Sequence, residues 1–265
     1  MTGGTARVIE TAMGPTFVRA VGTGPTVFVV HGGPGFDHRY LVAALHGLAR
    51  RRTLVFFDQP GCGQTPVGDE LTAAFTFRHF GALARALAPA GPFGLIAHSW
   101  GALVAIAAAK ESGLSFDEGL LITPVPLTDR DYSVCRDNLL SRVPAEKLAE
   151  FGRLAGLGAG GEIIRMLLPY YLAPSSPAKI PDLHIAMSTF AAVNASMGSF
   201  DYTADIASVA RLHVVLTEFD FTTRQLVRPL ADAVARTEVM SSVGHFPFAE
   251  DPKSFAAIMD AAFPD

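Results

Sequence analysis

A three-layer α/β fold with a mostly parallel central sheet is what this sequence predicts, and three observations carry that reading. Two short runs, TVFVV at Thr26–Val30 and TLVFF at Thr53–Phe57, are continuously apolar and rich in β-branched or aromatic residues, the pattern of strands buried on both faces. Stretches of helical pattern separate such runs, and strands that alternate with helices pair in parallel. Several strand ends then pass straight into small or polar loops: HGGPG at 31–35, DQPGCGQT at 58–65 and HSWG at 98–101. With 265 residues and 49% hydrophobic content there is material for a large core, either one domain or a core with an insertion.

Taken in order, residues 7–10 and 16–21 alternate apolar and polar side chains, as an antiparallel pair at a sheet edge does. Gly22, Gly24 and Pro25 turn the chain into the strand at Thr26–Val30. In the loop at 31–35, Gly32, Gly33 and Gly35 let backbone amides approach a ligand closely, and Pro34 restricts the loop. Residues 37–50 read as a helix, Thr53–Phe57 as a strand and 73–89 as a second helix. After Pro92, residues 93–97 form a short buried strand, and 102–110 are a run of small residues with high helix propensity. The corner between them is His98-Ser99-Trp100. A strand that passes directly into a helix holds Ser99 in a strained conformation with its hydroxyl pushed outward, which demands small residues two before and two after it. Ala97 and Gly101 meet that demand.

Residues 119–123 are the next strand, and then the pattern changes. From 124 to 202 there is no convincing strand, only helix-like pieces at 144–157, 161–171 and 182–197 divided by proline and glycine. The expected organisation is therefore a core of residues 1–123 and 203–265 with a helical cap at 124–202. The sheet resumes at 211–217, followed by a helix at 225–236 and a strand at 237–243. A closing helix runs through Phe263, with Asp251-Pro252 as its N-cap and first turn.

Ser99, Asp220 and His245 each stand just past the end of an expected parallel strand, the edge where an open α/β sheet gathers functional groups. Their order, serine then acid then histidine, is that of the α/β-hydrolase fold. Ser99 is then the nucleophile, His245 takes and returns its proton, and Asp220 orients the imidazole, with Asp201 and Asp205 as nearby alternative acids. The backbone N–H groups of Gly33 and Trp100 are the expected oxyanion donors. The pocket is expected to be mainly apolar and to take a small neutral acyl or amide group. Its expected walls are Phe36, the Trp100 ring, Tyr170, Tyr171, Phe190 and Phe221, with Glu218 nearby. His31 and His98 read as structural, Asp58 as a tie between loops, and Cys62, between two glycines, as an inert thiol.

The net charge of -4 and the pI near 6.0 provide no basic field for nucleic acid, and no Lys/Arg run offers a patch for an anionic membrane. No apolar run approaches the ~18 residues of a membrane span, and the opening MTGGTARVIE lacks an apolar signal core, so a cytoplasmic protein is expected. Cys62 and Cys135 are too few for a disulfide scaffold, and the eight histidines are scattered without metal-ligand spacing. No metal or organic cofactor is expected, and the partner is a small-molecule ester, amide or short peptide. The oligomeric state is not legible.

HGGPG at 31–35, DQPGCGQT at 58–65, AHSWGA at 97–102, TEFD at 217–220 and VGHFPFAEDP at 243–252 resemble the prolyl iminopeptidase branch of the α/β hydrolases. The likeness spans nearly the whole chain apart from the cap. It implies the same triad and oxyanion donors, and a helical cap that closes over the site. For members that clip N-terminal residues, it further implies acidic side chains that hold the substrate's free amine, from the cap and from beside the catalytic aspartate. Here Phe221 follows Asp220, Glu218 lies two before it, and the cap offers Glu146, Glu150, Glu162, Asp182, Asp201 and Asp205. The leading expectation is a serine hydrolase that cleaves a small ester or amide through an acyl-enzyme. A prolyl iminopeptidase-type aminopeptidase is the alternative, and a non-hydrolytic lyase, cyclase or binding protein on the same fold is a further one.

Overall fold

The computed structural model describes residues 4–264 apart from 69, 88–92, 181 and 235. At its centre is a sheet of β1 (Thr5–Thr11), β2 (Gly14–Gly22), β3 (Thr26–Val30), β4 (Thr53–Phe57), β5 (Gly94–His98), β6 (Phe116–Ile122), β7 (Val209–Thr217) and β8 (Arg236–Met240). The strands lie in the order β1-β2-β4-β3-β5-β6-β7-β8. The β1–β2 and β2–β4 pairs are antiparallel, whereas every pairing from β4 to β8 across the rest of the sheet is parallel. The helices are α1 (Arg39–Leu45), α2 (Ala73–Leu87), α3 (Trp100–Ser112), α4 (Asp129–Ser141), α5 (Ala145–Gly156), α6 (Gly160–Leu167), α7 (Met187–Ala195), α8 (Arg228–Ala233), α9 (Pro247–Glu250) and α10 (Pro252–Ala262). Among the described residues no helix is long and apolar enough to cross a membrane.

Because successive side chains leave a strand on opposite faces, each buried strand feeds two cores. Phe28, Val30, Phe57, Leu95, Ala97 and Val214 pack with Phe80 of α2, Leu103 of α3 and Leu230 of α8. Val27, Val29, Phe56, Ile96 and Val215 pack on the other side with Leu41 and Leu45 of α1 and Phe255 and Met259 of α10. Burying one such side chain stabilises by ~1.5–3 kcal/mol, so the carboxyl edge of the sheet is firmly held.

The structure moves several boundaries, each for a local reason. β6 starts at Phe116 rather than 119, because Glu118, a residue that strand patterns discourage, is buried against Arg52 and also meets Arg211. The helix expected at 37–50 is α1 followed by a 3-10 turn at His46–Arg50, and the Asp37 carboxylate accepts the Arg39 N–H at 3.0 Å where α1 begins. α8 starts at Arg228, since Pro229 fits only the first turn of a helix. β8 stops at Met240, and Ser242 turns the chain with φ 62°. The end of the helix expected at 73–89 lies outside the described residues.

Between β6 and β7 the chain carries α4 to α7 and an isolated bridge from Thr128 to Asp201. The pieces expected at 144–157, 161–171 and 182–197 are α5, α6 with a 3-10 turn at Leu168–Tyr170, and α7. α4 is a helix beyond the three pieces that the sequence pattern marks. Its N-cap is Thr128, whose side chain accepts the Asp131 N–H.

Candidate active site

β5 ends at His98 and α3 begins at Trp100, so Ser99 alone makes the corner. It has φ 55° and ψ -122°, a positive-φ conformation that costs a residue with a Cβ of order 1–3 kcal/mol. Its neighbours permit the turn. A Cβ on Gly101 would lie 2.3 Å from the Val30 carbonyl oxygen, and Ala97 is fully buried. At this corner the Ser99 hydroxyl donates to His245 Nε2 at 2.9 Å, and His245 Nδ1–H donates to Asp220 Oδ1 at 2.9 Å. Asp220 follows β7, His245 follows β8, and both are buried. Asp201 and Asp205 lie elsewhere: the first binds the N–H and hydroxyl of Thr203, the second pairs with Lys110.

His245 is held from several directions. Its N–H donates to Tyr171 O at 2.7 Å, its carbonyl accepts from Thr123 Oγ1 at 3.0 Å and His98 Nε2 at 3.1 Å, and its ring lies 4.4 Å from that of Phe221. Because His98 Nε2 faces a carbonyl, that nitrogen carries the proton, so Nδ1 accepts from the Tyr40 hydroxyl at 2.7 Å. The same hydroxyl accepts the Gly32 N–H at 2.8 Å. Burial, reinforced by His245, keeps His98 well below its ordinary pKa, and the neutral ring is the form this relay requires.

A second relay ties the glycine loop to the elbow. His31 Nδ1–H donates to Gly32 O at 2.8 Å, and Nε2 accepts the Gln59 N–H at 3.0 Å. Burial outweighs the pull of Asp58 and lowers the His31 pKa. The Gln59 amide donates to His31 O at 2.7 Å and accepts the Trp100 indole N–H at 3.0 Å. Between these anchors Gly33 has φ 131°, and a Cβ there would sit 2.6 Å from the Gly35 nitrogen. Among the described residues, neither the Gly33 N–H nor the Trp100 N–H has an internal acceptor. The latter is the first N–H of α3, where the helix dipole is positive.

Behind the loop, Asp58 accepts from His38 Nδ1 at 2.7 Å, His38 N at 3.1 Å and Gln64 N at 2.9 Å. Burial alone would raise its carboxyl. The His38 hydrogen bond and charge, with help from His31 and Gln64, more than offset this and hold it below the ordinary value. Asp37, His38 and Asp58 bring potential metal ligands within 4.8 Å of one another. Their atoms are already engaged, however, Asp37 by the Arg39 guanidinium at 2.9 and 2.6 Å and His38 by Asp58, so the cluster reads as a network of internal hydrogen bonds.

Over Ser99 opens a cavity of about 430 Å³, floored by Gly33, Pro34 and Phe36 and walled by Phe221, Tyr171 and side chains from α4 to α7. Its lining is mostly apolar, and among the described residues it includes no carboxylate.

Residues 27–258 match the family described as the alpha/beta hydrolase family. The chain belongs to that family. Over 100 residues it is 33% identical to a proline iminopeptidase of Lactobacillus helveticus, a match that covers 34% of this chain and 33% of that protein's length. Solved structures with the same fold include a proline iminopeptidase from Mycobacterium smegmatis, with TM-score 0.70 and 22% identity over 97% of each chain. A thermophilic esterase from Thermogutta terrifontis aligns with TM-score 0.73 and 19% identity, again over 97% of each chain.

In this α/β hydrolase, Phe36, Tyr171, Phe190 and Phe221 line the cavity as the sequence suggests, but the expected walls Trp100 and Tyr170 do not, nor does the nearby Glu218. The Trp100 ring is fully buried beneath the elbow, against Phe77 and Tyr132, because its indole N–H is drawn to Gln59. Tyr170 and Tyr171 are neighbours on a turn and diverge, and only Tyr171 reaches the cavity. Glu218 is exposed and accepts the Ser242 N–H at 2.8 Å. Of the acids between β6 and β7, Glu150 pairs with Arg153 and Glu162 with Arg165. α4 presents Tyr132, Cys135, Arg136 and Leu139 to the cavity, four lining residues beyond those expected from the sequence. Their 3- and 4-residue spacing after the Thr128 N-cap was the available signal. Burial pushes the Cys135 thiol up to about 12, which makes it a wall rather than a nucleophile.

Proposed function

We propose that this protein is a serine hydrolase that cleaves a small ester or amide through an acyl-enzyme. The observation that carries the reading is the Ser99–His245–Asp220 relay, two hydrogen bonds of 2.9 Å beneath an apolar cavity. Ser99 Oγ attacks the acyl carbon as its proton passes to His245 Nε2, while Asp220 keeps Nδ1 protonated and stabilises the imidazolium. The carbonyl oxygen, as it gains charge, is received by the Gly33 and Trp100 N–H groups. Collapse of the tetrahedral species expels the alcohol or amine, which takes the proton from His245. Water, with His245 as base, then attacks the acyl-enzyme, and the acid leaves. Residues 124–202 act as the cap that shapes the acyl site.

Ser99→Ala is expected to lower turnover of an aryl ester by ~10⁴-fold or more, and a phosphonylating reagent to label Ser99 alone. Undiminished turnover in Ser99→Ala would sink the covalent mechanism. Nucleophile, base and oxyanion donors all come from the chain, so a chelator is expected to leave the rate unchanged. Activity that is lost to chelation and restored by zinc would contradict this.

The stretch shared with the Lactobacillus helveticus proline iminopeptidase supports a second reading, removal of an N-terminal residue from a short peptide. A buried ammonium without a carboxylate partner costs several kcal/mol, and no described carboxylate lines this cavity. The ester or amide reading therefore ranks first. Aminoacyl arylamides assayed beside short-chain aryl esters separate the two: turnover that disappears when the α-amine is blocked establishes the peptidase.

A further inference from the structure

We infer that the substrate of this site carries an anionic group, a carboxylate in the simplest case, and that Arg136 of α4 receives it. The inference rests on the hydrolase reading above and names the substrate class for it. Tyr132, Cys135, Arg136, Leu139 and Leu140 form one cavity-facing stripe of α4, and Arg136 is the one charged side chain lining the cavity among the described residues.

That helix is fixed to the reaction centre. Tyr132 packs on the Trp100 ring at 6.2 Å, Cys135 Sγ lies 3.0 Å from Thr222 Oγ1, and Asn138 donates to Phe221 O at 3.2 Å. Arg142, just past the end of α4, donates to the carbonyls of Phe219 and Asp220 at 2.7 Å each. Arg136 is thus carried on a rigid arm, one helical turn or ~6 Å along the axis from the residue packed on the elbow. An anionic group several bonds away from the scissile carbonyl matches that placement.

The Arg136 guanidinium is also poorly satisfied by the protein. Its partner Asp137 is 3.5 Å away, with the two side chains 59% and 68% exposed, and such pairs contribute little. Arg153 and Arg165, on α5 and α6, have carboxylates at 2.7 and 3.1 Å. A planar guanidinium at the edge of an apolar cavity matches the two oxygens of a carboxylate and repels an ammonium. The absence of described acids from the lining points the same way.

The test compares the full-length protein on p-nitrophenyl hydrogen adipate and its methyl ester, p-nitrophenyl methyl adipate, which differ only in the terminal charge. Wild type is expected to favour the carboxylate by about 10-fold or more in kcat/KM, chiefly through KM. The preference should shrink as sodium chloride is added. Arg136→Gln should reduce the carboxylate-to-ester ratio about 10-fold, and Arg136→Lys should restore part of it. Asp137→Asn, which removes the competing carboxylate, should raise the ratio. A wild-type ratio near one, or a ratio unmoved by Arg136→Gln, overturns the inference even if Ser99-dependent turnover of both esters is intact. Absence of Ser99-dependent turnover of either ester overturns the hydrolase reading, and the inference with it.

Discussion

The floor of the cavity and its roof are built by different means. The floor joins Ser99, His245, His98, Tyr40, Gly32, His31, Gln59 and Trp100 through directional hydrogen bonds between groups on the carboxyl edge of the sheet and its loops. In α5 to α7 of the roof, cohesion comes from a small apolar cluster of Leu154, Ile163 and Met187, with the Glu150–Arg153 and Glu162–Arg165 pairs on the surface. Hydrogen-bonded buried groups admit one tautomer and one geometry, whereas apolar packing tolerates exchange of similar volumes. The floor can therefore hold a reaction fixed while the roof changes what is admitted.

The largest effect that would break this contrast concerns the floor. His245→Ala is expected to lower kcat/KM on an aryl ester by ~10⁴-fold, because the proton acceptor for Ser99 is gone. A loss under about 10-fold would show that the relay is not the engine, and that floor and roof differ only in packing. Next in size is Gln59→Leu, which keeps the volume but leaves the buried Trp100 indole N–H and the His31 carbonyl unpaired. Each orphaned group costs roughly 1–3 kcal/mol, to be read as a lower urea midpoint together with slower turnover as the glycine loop loosens. An unchanged midpoint would mean that the second relay is dispensable.

The floor also gives the protein a pH signature. His31 and His98 are both held below their ordinary value of 6.5, chiefly by burial. Below that pH the unfolded chain protonates them and the native state does not, so the unfolded state binds more protons. Stability is thus complete above about pH 6.5 and falls as the pH drops, by up to about 1.4 kcal/mol per pH unit for each histidine. The depressed Asp58 carboxyl adds a further loss only below its own ordinary value of 3.8. Thermal melts between pH 7.5 and 5 measure this, and His98→Asn should lower the melting temperature at neutral pH while making its pH dependence shallower. An identical slope in that variant would remove His98 from the account.

The same division decides what the sequence made legible. Thr26–Val30 and Thr53–Phe57 are strands with the limits read from their apolar runs, because fully buried strands carry an uninterrupted signal. The corner at Ser99 was readable because its strain requires a small residue at Gly101, where a Cβ would strike the Val30 carbonyl oxygen. The roof left weaker traces. α4 carries Asp129, Arg130, Asp131, Arg136 and Asp137 and exposes Val134, so its pattern resembles a solvated stretch although one stripe faces a cavity. Periodicity says that a helix has two faces, but not which long-range partner each meets. The same limit misplaced the Trp100 ring: its Gln59 partner lies 41 residues away, and nothing in the local pattern announces it.

The smallest expected effect, and the finest test of the contrast, is Phe190→Ala in α7. Phe190 is half-buried and sits over the glycine loop, its Cβ 3.4 Å from where a Cβ on Gly35 would stand. It belongs to the roof cluster and lines the cavity. Removing a half-exposed ring forfeits only part of its burial energy, so stability should fall by roughly 1 kcal/mol, less than for Gln59→Leu. The ring's effect should appear instead in substrate choice. An acyl chain long enough to reach it loses apolar contact, whereas an acetyl group bound at Ser99 does not. The ratio of kcat/KM for an aryl hexanoate over an aryl acetate should then drop about 10-fold, with kcat on the acetate little changed. A roof that is tolerant in stability and selective in substrate predicts both results together. If acetate turnover falls as steeply as hexanoate turnover, or if Phe190→Ala destabilises the protein as much as Gln59→Leu, the roof is as tightly specified as the floor and the contrast fails.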